Sequence, residues 1–261
     1  MNKQQGIMIM GHGSTMFYNK AIMDRQAELL AEKGFDNIYI GYNESSIPSI
    51  SEILENMVND GINEIVCLPF FIASGLHMTR DIPKKLGLET NFPKSVVSVN
   101  GKDVKLYFET PFGNDPLLTN ILKEKIIELC EVKQSLGIMI IGHGSKLPYN
   151  SEVMNFHADR LREMGYKTYI GFNEMNHPDI DETMQKMLDD GMKQIIVLPL
   201  FIAAGKHLIE DVPPRLHLST METRGVYHYD GRDVIISYAL PIGSDPRLSD
   251  ILAEKIRKYY G

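Results

Sequence analysis

The stretch Met8–Ser14, MIMGHGS, places a histidine between two glycines straight after an apolar run, and Met139–Ser145, MIIGHGS, does so again. A short apolar run that ends at glycine reads as a buried strand whose chain turns sharply off its end. Outward from this pair the match continues. GHGSTMFYN (11–19) aligns with GHGSKLPYN (142–150), and YIGYNE (39–44) with YIGFNE (169–174). LPFFIASGLHMTRDIP (68–83) aligns with LPLFIAAGKHLIEDVP (198–213), and PFGNDPLL (111–118) with PIGSDPRL (241–248). The chain is therefore a duplicated unit of about 130 residues, near the common size of a domain. The expected units are residues 1–133 and 134–261, with the boundary in the polar EVKQSL segment, Glu131–Leu136.

Each unit alternates strand and helix. GIMIM (6–10), NIYIGY (37–42) and EIVCLPFF (64–71) read as strands, and SVVSV and VKLYFE as a hairpin or two short strands about Asn100-Gly101. Helices are expected from the run closing on Gly34, from SISEILENMVNDG with Ser49 as N-cap and Glu52 three residues on, from DIPKKL, and from DPLLTNILKEKIIELC. This order predicts an α/β fold: two similar α/β/α lobes, each with a mainly parallel, flavodoxin-like sheet covered on both faces.

In such a sheet, ligands bind beyond the carboxyl ends of the strands. His12 follows the first strand, Glu44 the second, and His77 lies just past the third; His143, Glu174 and His207 repeat the set. The chain has eight histidines, and in the first repeat they are His12 and His77, each with a counterpart in the second. Neutral imidazole binds borderline divalent metals and is the usual base near neutral pH, and a carboxylate beside it can hold a metal, take a proton or orient the ring. The glycines are expected to turn the chain and to leave space beside the imidazole for a ligand. Ser14 and Ser145 read as N-caps rather than nucleophiles, because neither sits in G-x-S-x-G. Asp81 and Asp211 are equally readable as partners of His77 and His207 or as caps of the helices that follow. Tyr42 and Phe172 are open between core and ligand-facing roles. The fifteen methionines read as packing, and His157, His177, His217 and His228 as surface or structural.

A net charge of −7 weighs against partners held by electrostatics alone, such as nucleic acid or an anionic membrane. Two cysteines without metal-ligand spacing suit a reducing compartment, and the apolar runs are too short to span a bilayer, so a soluble, cytoplasmic protein is expected. A histidine phosphoryl-transfer site would carry arginine before the histidine, where Gly11 and Gly142 stand here.

The motifs GHGS, Tyr/Phe-Asn-Glu, LPFF…GxHxxxDIP and P-x-G-x-D-P, in this order and twice over, resemble those of the CbiX-type class II sirohydrochlorin metal chelatases. The chain is similar to two single-unit members fused head to tail. The resemblance implies a lyase-type chelatase that inserts a divalent metal, cobalt first and nickel or ferrous iron next, into sirohydrochlorin, in cobalamin or siroheme biosynthesis. It implies His12, His77, His143 and His207 as metal-holding and catalytic residues, with Glu44 and Glu174 catalytic. The metal would be a substrate, with no organic cofactor, and the protein a monomer with pseudo-twofold symmetry holding a planar tetrapyrrole between its lobes. Because that substrate carries many carboxylates, Arg80 and Lys206, with Lys84 and Arg215 nearby, are candidate contacts along with Ser14 and Ser145. Thr15 and Lys146 stand where members of the family often have arginine. The rival expectation is a tetrapyrrole or metal carrier that uses the same side chains without turnover.

Overall fold

The computed structural model describes residues 4–13, 17–88, 94–205 and 207–260; for Phe17, Tyr18 and His207 it describes the main chain alone. In the first repeat the strands are β1 (Gln5–Gly11), β2 (Ile38–Tyr42), β3 (Glu64–Pro69), β4 (Lys94–Val99) and β5 (Lys102–Phe108). They form a sheet in the order β2-β1-β3-β5-β4. The pairs β1–β2, β1–β3 and β3–β5 are parallel, and β4 closes the edge antiparallel to β5. The hairpin turn falls at Asn100 and Gly101, both at positive φ, as a tight turn joining two twisted strands requires. The second repeat reproduces the sheet with β6 (Leu136–Gly142), β7 (Lys167–Phe172), β8 (Gln194–Pro199), β9 (Arg224–Tyr229) and β10 (Arg232–Tyr238), in the order β7-β6-β8-β10-β9.

The helices are α1 (Phe17–Glu32), α2 (Ile50–Asn59), α3 (Ile82–Lys85), α4 (Pro116–Leu129), α5 (Tyr149–Glu163), α6 (Ile180–Asp189), α7 (Val212–Arg215) and α8 (Leu248–Arg257). Local chemistry sets several of their ends. Ser49 and Glu52 close a reciprocal capping box on α2, and Asp179 and Glu182 close its counterpart on α6. A π-helical turn precedes each short helix, His77–Asp81 before α3 and His207–Asp211 before α7.

In β1, Ile7, Met8, Ile9 and Met10 are all inaccessible to solvent, because the strand is covered on both faces. Met8 and Met10 join Ile50, Ile53 and Met57 of α2, Ile82 of α3 and Leu106 of β5 in one apolar cluster. The corresponding cluster of the second sheet contains Met139, Ile141, Ile180, Met184, Met187, Val212 and Ile236. Met164, Met175 and Met221 depart from the packing role and are exposed.

The compact units are not the sequence repeats. One unit comprises residues 1–113 and 246–261, the other residues 114–245. The last helix of each repeat is thus placed in the unit built on the other repeat's sheet. Helix α8 packs on α1 and β3, where Tyr260 donates its hydroxyl to the carbonyls of Glu64 (2.8 Å) and Gly6 (3.2 Å). Helix α4 packs on α5 and β8, and the Thr119 hydroxyl meets Nδ1 of the buried His157 at 2.8 Å. No described helix is long and apolar enough to cross a membrane.

Candidate metal and proton-transfer site

The first unit's site grows out of the parallel ladder between β1 and β2. Pairing ends at Gly11 and Tyr42, but the hydrogen bonds run on: Asn43 N–H donates to Gly11 O (2.8 Å) and Glu44 N–H to His12 O (2.8 Å). Gly13 then turns at φ +87°, with its Cα pressed against the carbonyl of Glu44, where a methyl group would overlap the oxygen. At Gly11 a methyl group would overlap the sulfur of Met23. The space beside these glycines is therefore filled by the protein itself, not left for a ligand as expected. What they achieve is the close joining of the His12 and Glu44 loops.

The π-helical turn brings His77 to the same place. Its ring centroid is 4.6 Å from that of His12, tilted by 40°. Its Nδ1 lies 3.0 Å from Asp81 Oδ2, 3.1 Å from Asn43 Nδ2 and 3.6 Å from Glu44 Oε1. One ligand atom from each of Glu44, His77 and Asp81 lies within 4.8 Å of the other two. Side-chain exposure is 36% for His77, 48% for Glu44 and 25% for Asp81, so the donors are open to an incoming ion. Asp81 makes no side-chain hydrogen bond to cap α3, which decides between its two expected roles: it is a partner of His77. Its other oxygen accepts from Arg80 Nε at 2.8 Å. The Arg80 guanidinium first, and His77 after it, hold the Asp81 carboxyl below the usual carboxylate range.

The second unit repeats the frame. Asn173 N–H donates to Gly142 O and Glu174 N–H to His143 O, each at 2.9 Å, and Gly144 turns at φ +89° against the Glu174 carbonyl. His143 is exposed, and its Nδ1 lies 3.3 Å from Gly144 O. That oxygen only accepts, so Nδ1 is the donor in this contact.

Both repeats match the family model of CbiX, over residues 6–129 and 137–259. The chain belongs to the CbiX family. It is similar to the sirohydrochlorin cobaltochelatase of Methanosarcina acetivorans, with 35% identity over 127 residues, 48% of this chain and 97% of that relative. One repeat thus answers to nearly the whole of that protein. In fold the chain is similar to SirB from Bacillus subtilis with Fe3+, at a TM-score of 0.74 and 19% identity, covering 98% of this chain and 95% of that one. It is also similar to the sirohydrochlorin chelatase SirB from Bacillus subtilis subspecies spizizenii in complex with cobalt, at a TM-score of 0.68 and 17% identity, covering 98% and 94%.

Set in this CbiX frame, His12, Glu44 and His77 come together in the first unit, and His143 and Glu174 take the matching loop positions in the second. Ser14, Thr15 and Lys206 lie outside the described residues, as does the side chain of His207. Ser145 is not the N-cap of α5, where Pro148 stands; its hydroxyl instead accepts from Leu147 N–H at 3.0 Å. Arg80 is exposed beside the first-unit cluster and bound to Asp81, while Lys84 is exposed on α3. Arg215 is committed to structure: it donates to Asp181 Oδ2 at 2.6 Å and to Asn173 O at 3.1 Å, and lies 3.3 Å from Asp179 Oδ2. Tyr42 and Phe172 are core residues, and burial pushes the Tyr42 hydroxyl up to about 12. His157 is fully buried; His177 and His228 pair with Glu182 and Asp233, and His217 stacks on Tyr227 at 3.7 Å. Sequence reasoning passed over Asn43. The signal was present, since Asn43-Glu44 recurs as Asn173-Glu174.

Proposed function

We propose that this CbiX chain is a sirohydrochlorin chelatase that inserts a divalent metal, with Co2+ the preferred ion and Ni2+ and Fe2+ the alternatives. One observation carries the proposal: two imidazoles, His12 and His77, stand side by side with the Glu44 carboxylate at the carboxyl edge of the sheet. Insertion exchanges one divalent ion for the two pyrrolic protons of the macrocycle, so a site for it needs donors that hold the ion and groups that take protons. Imidazole nitrogens suit cobalt, nickel and ferrous iron, and a carboxylate serves as ligand or proton acceptor. The exposure of these side chains suits an ion that must depart with the product, unlike the closed cage of a structural metal. The name of the archaeal relative supports cobalt first. On this proposal His143, Glu174 and His207 are the second set of such residues, and Arg80 with Ser145 are candidate contacts for substrate carboxylates.

The test is anaerobic incubation of the protein with sirohydrochlorin and, separately, Co2+, Ni2+ and Fe2+, with insertion followed by absorbance. The expected result is insertion faster than the protein-free background, fastest with Co2+, and lost in His77→Ala. Binding of tetrapyrrole or metal with no acceleration for any ion would overturn the proposal in favour of a carrier.

A further inference from the structure

Asn43 is a polar side chain packed where β1, β2 and the His77 turn converge, and it is 3% exposed. Each of its groups meets a different part of the site. The backbone N–H donates to Gly11 O, beside His12. The backbone carbonyl accepts from Lys85 Nζ at the end of α3. The side-chain Nδ2 lies 3.1 Å from His77 Nδ1 and 3.5 Å from Glu44 Oε1. Nδ2 carries two hydrogens, so one amide can address both groups. Its Oδ1 is buried with no hydrogen-bond partner. Such an orphaned acceptor is destabilising, and packing alone would be better served by an apolar residue of the same size.

The second repeat supplies the comparison. There Arg215, the counterpart of Lys85, donates both to Asn173 O (3.1 Å) and to Asn173 Oδ1 (3.4 Å). One guanidinium nitrogen, Nη1, reaches both acceptors, whereas among the described contacts Lys85 Nζ meets the Asn43 carbonyl. The Asn43 amide is therefore anchored through Nδ2, on the site residues themselves.

We infer that Asn43 is a positioning residue, whose buried amide sets His77 and Glu44 at a fixed angle to one another so that they meet a divalent cation as a pair. Nδ1 serves one of these partners at a time: it accepts from Asn43 Nδ2 when Nε2 carries the ring proton, and it donates to Asp81 Oδ2 when Nε2 is free to bind an ion. Both contacts lie at the Nδ1 edge, so the amide sets the ring in the metal-free site and Asp81 keeps it there as the ion arrives. Glu44 Oε1 lies 3.5 Å from the same nitrogen, so one buried amide is within reach of both donors. A pre-set pair avoids the ordering cost that free side chains would incur when the ion arrives. This inference rests on the chelatase proposal for its biological meaning, but not for its test.

The test uses the whole protein, with Co2+ alone as the probe, in wild type, Asn43→Ala and the near-isosteric Asn43→Asp. Three quantities are read: Co2+ affinity, the visible absorption of the bound Co2+, and thermal stability. Insertion kinetics with sirohydrochlorin are then followed. The expected result is a loss of about 10–100-fold in Co2+ affinity with an altered cobalt spectrum in both variants. In the insertion assay kcat should fall while KM for sirohydrochlorin is unchanged. Wild-type affinity and spectrum in a folded variant would overturn the inference. Asn43→Asp keeps the volume, so it serves if Asn43→Ala does not fold. If wild type binds Co2+ in the expected way but inserts nothing, the chelatase proposal falls and the positioning role stands. If insertion proceeds and the variants match wild type throughout, the reverse holds.

Discussion

Gly13 packs its Cα against the main-chain carbonyl of Glu44, at a φ of +87°. Both features exclude a side chain, and together they explain the second glycine of the Gly-His-Gly turn. Gly13→Ala is expected to cost about 2 kcal/mol or more, from left-handed strain plus the overlap. Gly11→Ala is expected to cost less, about 1 kcal/mol, because it meets the flexible end of Met23 rather than backbone. Urea denaturation followed by circular dichroism would rank the two variants, and equal losses would contradict this account.

Asp81 holds Nδ1 of His77 and does not cap α3. Asp81→Asn should therefore weaken Co2+ binding by about 10–100-fold while leaving the melting temperature near that of wild type. Titration calorimetry with Co2+, beside a thermal scan, checks both halves of the statement. A variant with lowered stability and normal affinity would return Asp81 to a purely helical role.

Glu109 and Lys255 form a buried ion pair at 3.2 Å, with 5% and 7% of their side chains exposed, and this pair ties α8 to the end of β5. Burial pushes the Glu109 carboxyl up, but Tyr259, Lys255 and Lys258 outweigh it and hold the group below the usual carboxylate range. A carboxyl depressed in the folded state contributes its full stability above the unfolded value of about 4.3, and loses it as pH falls through the folded value. Lys255→Met should cost about 2 kcal/mol at neutral pH, because it removes the buried cation and leaves the carboxylate to Tyr259 and the more exposed Lys258. The variant should also show a shallower loss of stability in acid than wild type. Denaturation midpoints measured from pH 3 to pH 7, on the order of one per pH unit, would show parallel curves if the pair were irrelevant.

Thr119 and His157 join α4 to α5 across a fully buried hydrogen bond. Thr119→Val keeps the shape and removes the hydroxyl partner of Nδ1, which is expected to cost about 1 kcal/mol. Hydrogen exchange should show faster opening in α4, α5 and β8, with the amides of α1, α8 and β3 unaffected. Uniform acceleration throughout the chain would count against α4 belonging to the unit of residues 114–245.

Much of the site was legible in the chain. Apolar runs ending at glycine mark strands, and in a parallel sheet the residues after those strands share one edge, so the order of the chain alone groups His12, Glu44 and His77. The duplication separated the recurring histidines from His157, His177, His217 and His228. The structure reassigns the space beside Gly11 and Gly13, the hydroxyl of Ser145 and the guanidinium of Arg215. Each of these depends on which distant group happens to lie within a few ångströms, and local pattern carries no such information. Asn43 was visible only as a recurring letter, because its value lies in reaching His77 from another loop.

By itself, then, the sequence determined the duplicated α/β architecture, the strand ends and the set of side chains at the sheet edge, since hydrophobic period, turn residues and repetition are written along the chain. Only the tertiary structure decided which terminal helix covers which sheet, and that Asn43 and Asp81 both reach Nδ1 of His77. An amphipathic helix carries the pattern of a face but not the address of its partner, and when two sheets are near copies, packing across the fold makes that choice.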